Sequence, residues 1–419
     1  MKEEKMSEVR RPLEGIKVVE LATFIAAPCT ARFLADLGAD VIKVEAPMGD
    51  PLRYTAANEG RPLDQKENTS YDLENAGKRC IALNIKSPEG REVLEKLIAD
   101  ADVFITNNRQ PSLIKNKLDY DTLHAKYPAL VYGFISGYGE KGPDKDLPGF
   151  DFTAFYARGG ILGPLRDKTS TPMLTVQGFG DHQVAMNLAA GILASLFKAK
   201  MTGEGDQVVV SLFHSAVWDV SLMLQSSQYG ADSCKFPMER WENGNPLTMV
   251  YKTKDEQWLQ IAMPQYDRHY PVFMQAAGHP EMIDNPKFYP QKNLYPNRKE
   301  FSEWISALFL TKDCDEWCKL LDAADIPYAV AQNWDTLLVD EQAWASDIFY
   351  EMQYSNGNKR TLVRPPVMFK ENGLPEYNRG PYLAEHTEEI LGQYGYTDEE
   401  ISKMLADGAV KSMDPALRD

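Results

Sequence analysis

Two periods alternate along the first half of the chain. The short apolar run Val18-Val19-Glu20-Leu21 reads as a buried strand, residues 28–37 carry the spacing of a helix, and Val41, Ile42 and Val44 read as the next strand after a break at Gly38. Together they make a βαβ unit. A further strand is expected over Ile81–Ile85. Ser87-Pro88-Glu89 then supplies a cap residue, a proline at the first helical position and an early acid. Val93, Leu94, Leu97 and Ile98 give that helix one buried face. Val103–Ile105 and Leu130–Tyr132 continue the alternation, and such a pattern predicts an α/β fold: an open, mainly parallel sheet covered by helices.

Residues 181–200 are rich in Ala, Leu, Ile and Met with few charges, which predicts a buried helix; the turn Thr202–Asp206 and a strand at Val208–Val210 follow. After about Ser226 the composition shifts to aromatic and proline-rich segments, with a strand at Trp258–Ile261 and helices over 301–310 and 314–323. The shift marks a second, smaller domain ending near Asp325-Ile326-Pro327. The tail from Asn333 carries acidic amphipathic helices around 386–391 and 398–405, and there is neither an internal repeat nor a low-complexity segment.

At 419 residues, with 43% hydrophobic and 25% charged positions, the composition is ordinary for a soluble globular protein large enough for two domains. A net charge of −16 repels phosphate backbones and anionic lipid, and no basic patch of useful size offsets it, so no nucleic acid and no membrane surface is expected as a partner. The charged opening Met1–Arg11 has no apolar core, and no later run reaches the length of a span, so neither a signal peptide nor an anchor is expected. The five cysteines, Cys29, Cys80, Cys234, Cys314 and Cys318, are odd in number and scattered, which argues against a disulfide framework and for a reducing cytoplasm. Cys314 and Cys318 lie one helical turn apart without a second pair or nearby histidines, so no metal site is expected.

The familiar nucleotide signatures are missing. Gly178-Phe179-Gly180 lacks the third glycine of a dinucleotide turn, and no phosphate-loop Gly-Lys-Ser/Thr occurs. Ser136 lacks the spacing of a nucleophile elbow, and there is no paired-histidine metal helix. What stands out is the Gly/Pro-rich loop Gly137-Tyr138-Gly139-Glu140-Lys141-Gly142-Pro143, followed by Pro148-Gly149-Phe150-Asp151. It puts one carboxylate at the start of an aromatic segment. Asp151 can be a helix N-cap that satisfies free amides, or a nucleophile that attacks an activated acyl group to give a mixed anhydride shielded from water. The two roles are compatible. Phe150, Phe152, Phe155 and Tyr156 cluster there as a candidate aromatic acyl pocket. Lys78, Arg79, Arg109 and Lys115 are either solvated surface or partners for the phosphates of a large cofactor. His182 and His214, in or beside apolar helical patterns, read as core histidines.

Taken in order, Pro12–Val19, Asp36–Glu45, Asn75–Lys78, Gly137–Gly139, Pro148–Asp151, Gly178–Asp181, Thr202–Gly205 and Ala384–Thr387 resemble the class III CoA-transferases, the formyl-CoA transferase family, over residues 12–410. Pro47–Tyr54, Glu59–Pro62, Tyr71–Asn75 and the loop 137–151 are most similar to the branch that serves anaerobic aromatic amino-acid fermentation. That likeness implies transfer of CoA from an arylacrylyl-CoA such as cinnamoyl-CoA to an (R)-2-hydroxy acid such as (R)-phenyllactate. It also implies a Rossmann-like large domain built from both termini, residues 1–225 and 329–419, with a smaller α+β domain at 226–328 between them. The tail is too short for a domain of its own, which agrees. Two such chains would interlock as a homodimer. The resemblance implies an acyl-CoA and a free carboxylic acid as substrates, coenzyme A as co-substrate with no tightly bound cofactor, and association with a 2-hydroxyacyl-CoA dehydratase.

On matching positions the resemblance makes Asp151 the nucleophile, passing through an aspartyl anhydride and an aspartyl-CoA thioester. It places Ile25, Ala26, Asn75, Lys78, Asn107, Asn108, Arg109, Lys115, Gly137, Tyr138 and Gly139 along the CoA site. Lys78 and Lys115 suit nucleotide phosphates, and the glycines allow close backbone approach and amide donation to an oxyanion. There are departures from formyl-CoA transferase. Its glycine run in the small domain has Glu242–Pro246 as the comparable region here, and the glutamine after its first strand is here Ile25, which suits an apolar acyl group better than formate or oxalate. The α-methylacyl-CoA racemases share the fold but place a histidine directly before the position of Asp151 and use it with an aspartate that matches Asp181. Here the preceding residue is Phe150, which leaves two-sided proton abstraction without a second base. A non-catalytic CoA-binding subunit is the remaining alternative, and the presence of the Asp151 carboxylate speaks against it.

Overall fold

The computed structural model describes residues 11–232, 236–371 and 377–418; Cys234 and the opening ten residues lie outside them. The chain divides into two compact units. The first comprises the described residues through Ile161, Thr175–Ser221 and those from Glu341 onward; the second comprises Leu162–Leu174 and Leu222–Asp340.

The strands in chain order are β1 (Lys17–Leu21), β2 (Asp40–Glu45), β3 (Arg79–Leu83), β4 (Val103–Thr106), β5 (Val131–Ser136), β6 (Gln207–Ser211), β7 (Val250–Lys252), β8 (Trp258–Ile261), β9 (Tyr328–Val330), β10 (Phe349–Gln353), β11 (Lys359–Val363) and β12 (Val410–Lys411). In the first unit seven of them form a sheet in the order β12-β3-β2-β1-β4-β5-β6. β1 to β6 pair in parallel, with Val18 opposite both Val41 and Val103. β12 pairs antiparallel with β3, so the C-terminal segment supplies one edge. All four residues of β4 are buried, the mark of a strand covered on both faces.

The helices around this sheet are α1 (Ala26–Asp36), α2 (Thr69–Asn75), α3 (Pro88–Ala99), α4 (Gln110–Lys115), α5 (Tyr120–Lys126) and α6 (Phe179–Thr202). α3 starts where the sequence predicts: Ser87 Oγ accepts the Gly90 amide at 3.1 Å, Pro88 opens the helix, and Val93, Leu94, Leu97 and Ile98 enter the core. α6 is long and apolar enough to cross a membrane by length and composition alone. It lies against β5, β6 and α1, burying Val184, Leu188, Ile192 and Leu196 at helical spacing.

The second unit has the antiparallel sheet β7-β8-β9 and three longer helices, Tyr266–Ala276, Gln291–Phe309 and Cys314–Ala323. Its core is aromatic, with Trp317 fully buried and Tyr251 stacked on Phe309 at 4.7 Å. The helix expected over 301–310 begins ten residues earlier, at Gln291. A polar first half and an internal Pro296 hide its start from the apolar pattern.

Behind the C-terminal ends of β1 and β2 lies a buried chain of charges. Glu20 Oε1 takes Lys43 Nζ at 2.7 Å, and Glu20 Oε2 takes Lys78 Nζ at 2.6 Å. Lys43 also meets Asp50 at 3.0 Å, and all four side chains are shut off from solvent. Burial lowers the Lys78 pKa to about 8 despite the Glu20 charge. For Lys43, burial is outweighed by Glu20 and Asp50, and the pKa rises. Glu20→Gln leaves two buried ammonium groups sharing a neutral partner, and is expected to cost about 3–5 kcal/mol. Urea denaturation checks this; an unchanged midpoint would remove Glu20 from the framework of the fold.

Candidate active site

Strand order reverses between β1 and β4, and in open α/β sheets ligands bind at such a point, outside the carboxyl ends of the strands. A cavity of about 820 Å³ opens there. Its walls are the segment after β1 (Thr23–Ala26), the segment after β4 (Asn107–Gln110), residues following β5 including Gly137 and Gly139, and Leu147–Phe152. All belong to the first unit.

The glycines of the loop are there for contact between backbones. A Cβ on Gly137 would sit 2.6 Å from Gly149 Cα, so the two passes of chain touch only because neither has a side chain. Immediately beyond Gly149, residues Asp151–Ala157 form a π-helical turn, a rare geometry often met at functional sites. Thr153 Oγ1 accepts the Phe150 amide at 3.1 Å and satisfies the start of that turn. The Asp151 carboxylate therefore does not cap its own turn, the role the plainer sequence reading gives it. It caps α6 instead: Oδ1 accepts the Gly180 amide at 3.1 Å. Only glycine fits at 180, since a Cβ would stand 2.5 Å from that oxygen and 2.2 Å from the Phe155 ring.

Asp151 is 3% exposed, lines the cavity, and leaves Oδ2 without a hydrogen-bond partner. Burial raises its pKa to about 6, while the amides at the start of α6, Gly180 foremost, and the charge of His182 hold it down. Asp181 also reaches the cavity wall. Burial, then the charges of Asp151 and Glu74, lift its pKa to about 7.

The residues expected along a CoA site divide. Ile25, Ala26, Asn107, Asn108, Arg109, Gly137 and Gly139 line the cavity with Asp151. Arg109 is exposed there. Asn107 clamps the segment after β1, accepting from the Thr23 amide at 3.1 Å and donating to its carbonyl at 2.8 Å. Tyr138 and Lys115 stand outside the lining, Lys115 exposed on α4. The Gly139 amide already donates to Ser136 Oγ at 2.9 Å, so it is spent on the loop. The assignment of Lys78 to phosphate is corrected. Its ammonium has Glu20 Oε2, Pro28 O and Asn75 Oδ1 within 2.8 Å, which uses all three donors, and both Asn75 and Lys78 are buried away from the cavity.

Of the four aromatic residues near Asp151, Phe150 and Phe152 line the cavity and are substantially exposed. Phe155 and Tyr156 are buried and pack on Phe179, bracing the start of α6. The histidines are not core residues. His214 is exposed, and His182 is half exposed with Nε2 2.8 Å from Glu74 Oε1. Two cavity residues carry no signal in the sequence. Phe24 has φ +63°, its amide donates to Asp50 Oδ1 at 3.0 Å, and its ring meets Phe150 edge-on at 6.1 Å. Glu140 accepts from Gln110 and Gln207, at 2.7 and 2.9 Å.

Comparison with known proteins gives this site its setting. Residues 13–387 match the model of CoA-transferase family III. The cinnamoyl-CoA:phenyllactate CoA-transferase of Clostridium sporogenes is 52% identical over 394 residues, covering 94% of this chain and 96% of that one. The (R)-2-hydroxy-4-methylpentanoate CoA-transferase of Clostridioides difficile is 41% identical, covering 93% and 97%. Among solved structures, a CAIB/BAIF family protein from Brucella suis superposes with a TM-score of 0.78 at 27% identity, over 92% of this chain and all of the other. The chain belongs to CoA-transferase family III and is a CoA-transferase.

Proposed function

We propose that this enzyme moves CoA from an arylacrylyl-CoA of the cinnamoyl type to an (R)-2-hydroxy acid such as (R)-phenyllactate, with Asp151 as the covalent carrier. The observation that carries the reading is the buried Asp151 carboxylate on the cavity wall, one oxygen held by α6 and the other unengaged. The aryl preference is supported by the 52% identical relative and by the Phe24–Phe150 pair.

In this scheme Oδ2 attacks the thioester carbonyl, and the tetrahedral adduct expels CoA as thiolate, leaving an aspartyl anhydride. The thiolate attacks the Asp151 carbonyl of that anhydride, releasing the donor acid and forming an aspartyl-CoA thioester. The incoming carboxylate attacks this thioester and expels the thiolate again. Attack of the thiolate on the acceptor's own carbonyl then yields the new acyl-CoA and restores Asp151. Every step exchanges an acyl group between a carboxylate and a thiolate, so no net proton moves. Arg109, with its exposed guanidinium at the cavity wall, suits the phosphates of CoA. The same proposal includes the interlocked homodimer, a cytoplasmic setting and association with a 2-hydroxyacyl-CoA dehydratase. Exposed apolar side chains on the first unit, Phe197, Met201 and Trp218, support a protein partner there.

Asp151→Asn is expected to keep CoA binding and lose nearly all transfer, and mass spectrometry of the wild type after incubation with cinnamoyl-CoA is expected to find an adduct on Asp151. Transfer at the wild-type rate rejects the nucleophile. Because the folded pKa of Asp151 lies above its ordinary value, its ionised form costs stability above pH 6. The asparagine variant should therefore melt above the wild type at pH 8, the gap closing as the pH falls through about 6.

A nucleophilic carboxylate with a pKa of about 6 should give kcat/KM that is level above pH 7, halves near pH 6 and then falls tenfold per pH unit. A profile level down to pH 5 contradicts it. With cinnamoyl-CoA as donor and a panel of free acids, (R)-phenyllactate is expected to exceed (R)-2-hydroxy-4-methylpentanoate in kcat/KM. Phe150→Ala, a change at an exposed ring, is expected to shrink that preference by about tenfold or more. An unchanged ratio removes Phe150 from the acyl pocket.

A further inference from the structure

Cys29 on α1, Glu74 at the end of α2 and His182 on α6 are far apart in sequence, and none of them takes part in the transfer scheme above. Their ligand atoms, Sγ, a carboxylate oxygen and a ring nitrogen, all lie within 4.8 Å of one another, and all three residues belong to the first unit. We propose that this trio is a binding site for a thiophilic divalent cation of the zinc type.

The donor set is the mixture of sulfur, imidazole nitrogen and carboxylate oxygen that zinc accepts. Tetrahedral bonds of about 2.0–2.3 Å put ligand atoms about 3.3–3.8 Å apart, so closing the site needs side-chain shifts on the order of one ångström. A second observation points the same way. Glu74 is 3% exposed, Oε1 meets His182, and the buried Oε2 makes no ordinary hydrogen bond, the Cys29 thiol being the other group of the trio that faces this carboxylate. Of the cations facing the cluster, Lys78 is held by Glu20, Pro28 O and Asn75, while Arg32 donates to the Leu73 carbonyl, lies 3.3 Å from Asp36 and acts on Glu74 by its charge, with Nε and Nη2 making no hydrogen bond. Asp181, which precedes His182 on α6, favours positive charge on that ring when it is ionised. His182 is half exposed, which leaves a fourth position to water.

A nucleophilic cysteine is the other use of such a trio. Burial, and then the Glu74 charge, hold the Cys29 thiol well above its ordinary range, which removes the thiolate that nucleophilic chemistry needs. A bound cation supplies the charge that makes the thiolate stable.

The test uses the full-length protein, freed of metal and titrated with Co2+. Expected are one equivalent per chain, a thiolate-to-cobalt charge-transfer band in the near ultraviolet, and displacement of the cobalt by Zn2+. Cys29→Ser should abolish the band and His182→Ala should weaken binding tenfold or more, while Cys318→Ser leaves both unchanged. Absence of the band, its survival in Cys29→Ser, or its loss in Cys318→Ser overturns the site. A second measurement in the wild type guards against a misfolded variant: Zn2+ is expected to slow alkylation of the Cys29 peptide, read by mass spectrometry, and an unchanged rate also overturns the site. None of these readouts involves acyl transfer, so the metal site and the role of Asp151 stand or fall separately.

Discussion

The site is organised by one contact, the Asp151 carboxylate seated on the N-terminus of α6. A carboxylate that attacks a thioester has to be anionic yet stripped of water, two demands that oppose each other because burial favours the neutral acid. The α6 amides reconcile them by giving the charge a fixed hydrogen-bond donor in place of solvent, on one oxygen only. The glycines follow from this. Gly180 lets the amide and the Phe155 ring approach the carboxylate, and the bare backbones of Gly137 and Gly149 let the loop deliver residue 151 to that point. Phe155 and Tyr156, packed on Phe179, keep the helix start from drifting.

The opposite wall is fixed by charges that substrate never meets. Glu20 gathers Lys43 and Lys78 at the strand ends, Lys43 holds Asp50, and Asp50 in turn accepts the amide of Phe24. A phenylalanine at positive φ is costly on its own. It is held there by the hydrogen bond to Asp50 on one side and the Asn107 clamp on Thr23 on the other. The buried network thus converts framework charge into the position of an aromatic ring on the cavity wall.

These two walls explain what was legible beforehand. The βαβ alternation, the Ser87-Pro88 helix start and the long apolar helix after Asp181 are local patterns whose period survives into the fold, so the parallel sheet followed from them. Asp151 was visible because a Gly/Pro loop delivering one carboxylate is an unusual local arrangement, and the family resemblance gave it a role. Lys78 was misplaced because its partner Glu20 lies 58 residues away, and a lysine before a strand looks the same whether its ammonium faces solvent or a buried glutamate. The unusual φ of Phe24, the split of the aromatic cluster between wall and core, and the antiparallel β12 edge likewise depend on distant contacts. The Cys29–Glu74–His182 trio is the extreme case, three single residues on three helices with no spacing to betray them.

The second carboxyl on the wall, Asp181, sharpens the difference between group transfer and proton transfer on this fold. A carboxyl whose pKa is near 7 would suit a general base, and stereochemical inversion beside a thioester needs one base on each face of the carbon. The residue before Asp151 that would have to supply the opposing base is the hydrocarbon ring of Phe150. Acyl exchange between a carboxylate and a thiolate asks for no base on either face. It asks for a dry, anionic oxygen free of hydrogen-bond donors, and apolar rings on the cavity wall help to keep water from the anhydride. An aromatic side chain at position 150 is therefore at odds with proton relay and in keeping with covalent transfer, even though the two aspartates by themselves would fit either chemistry.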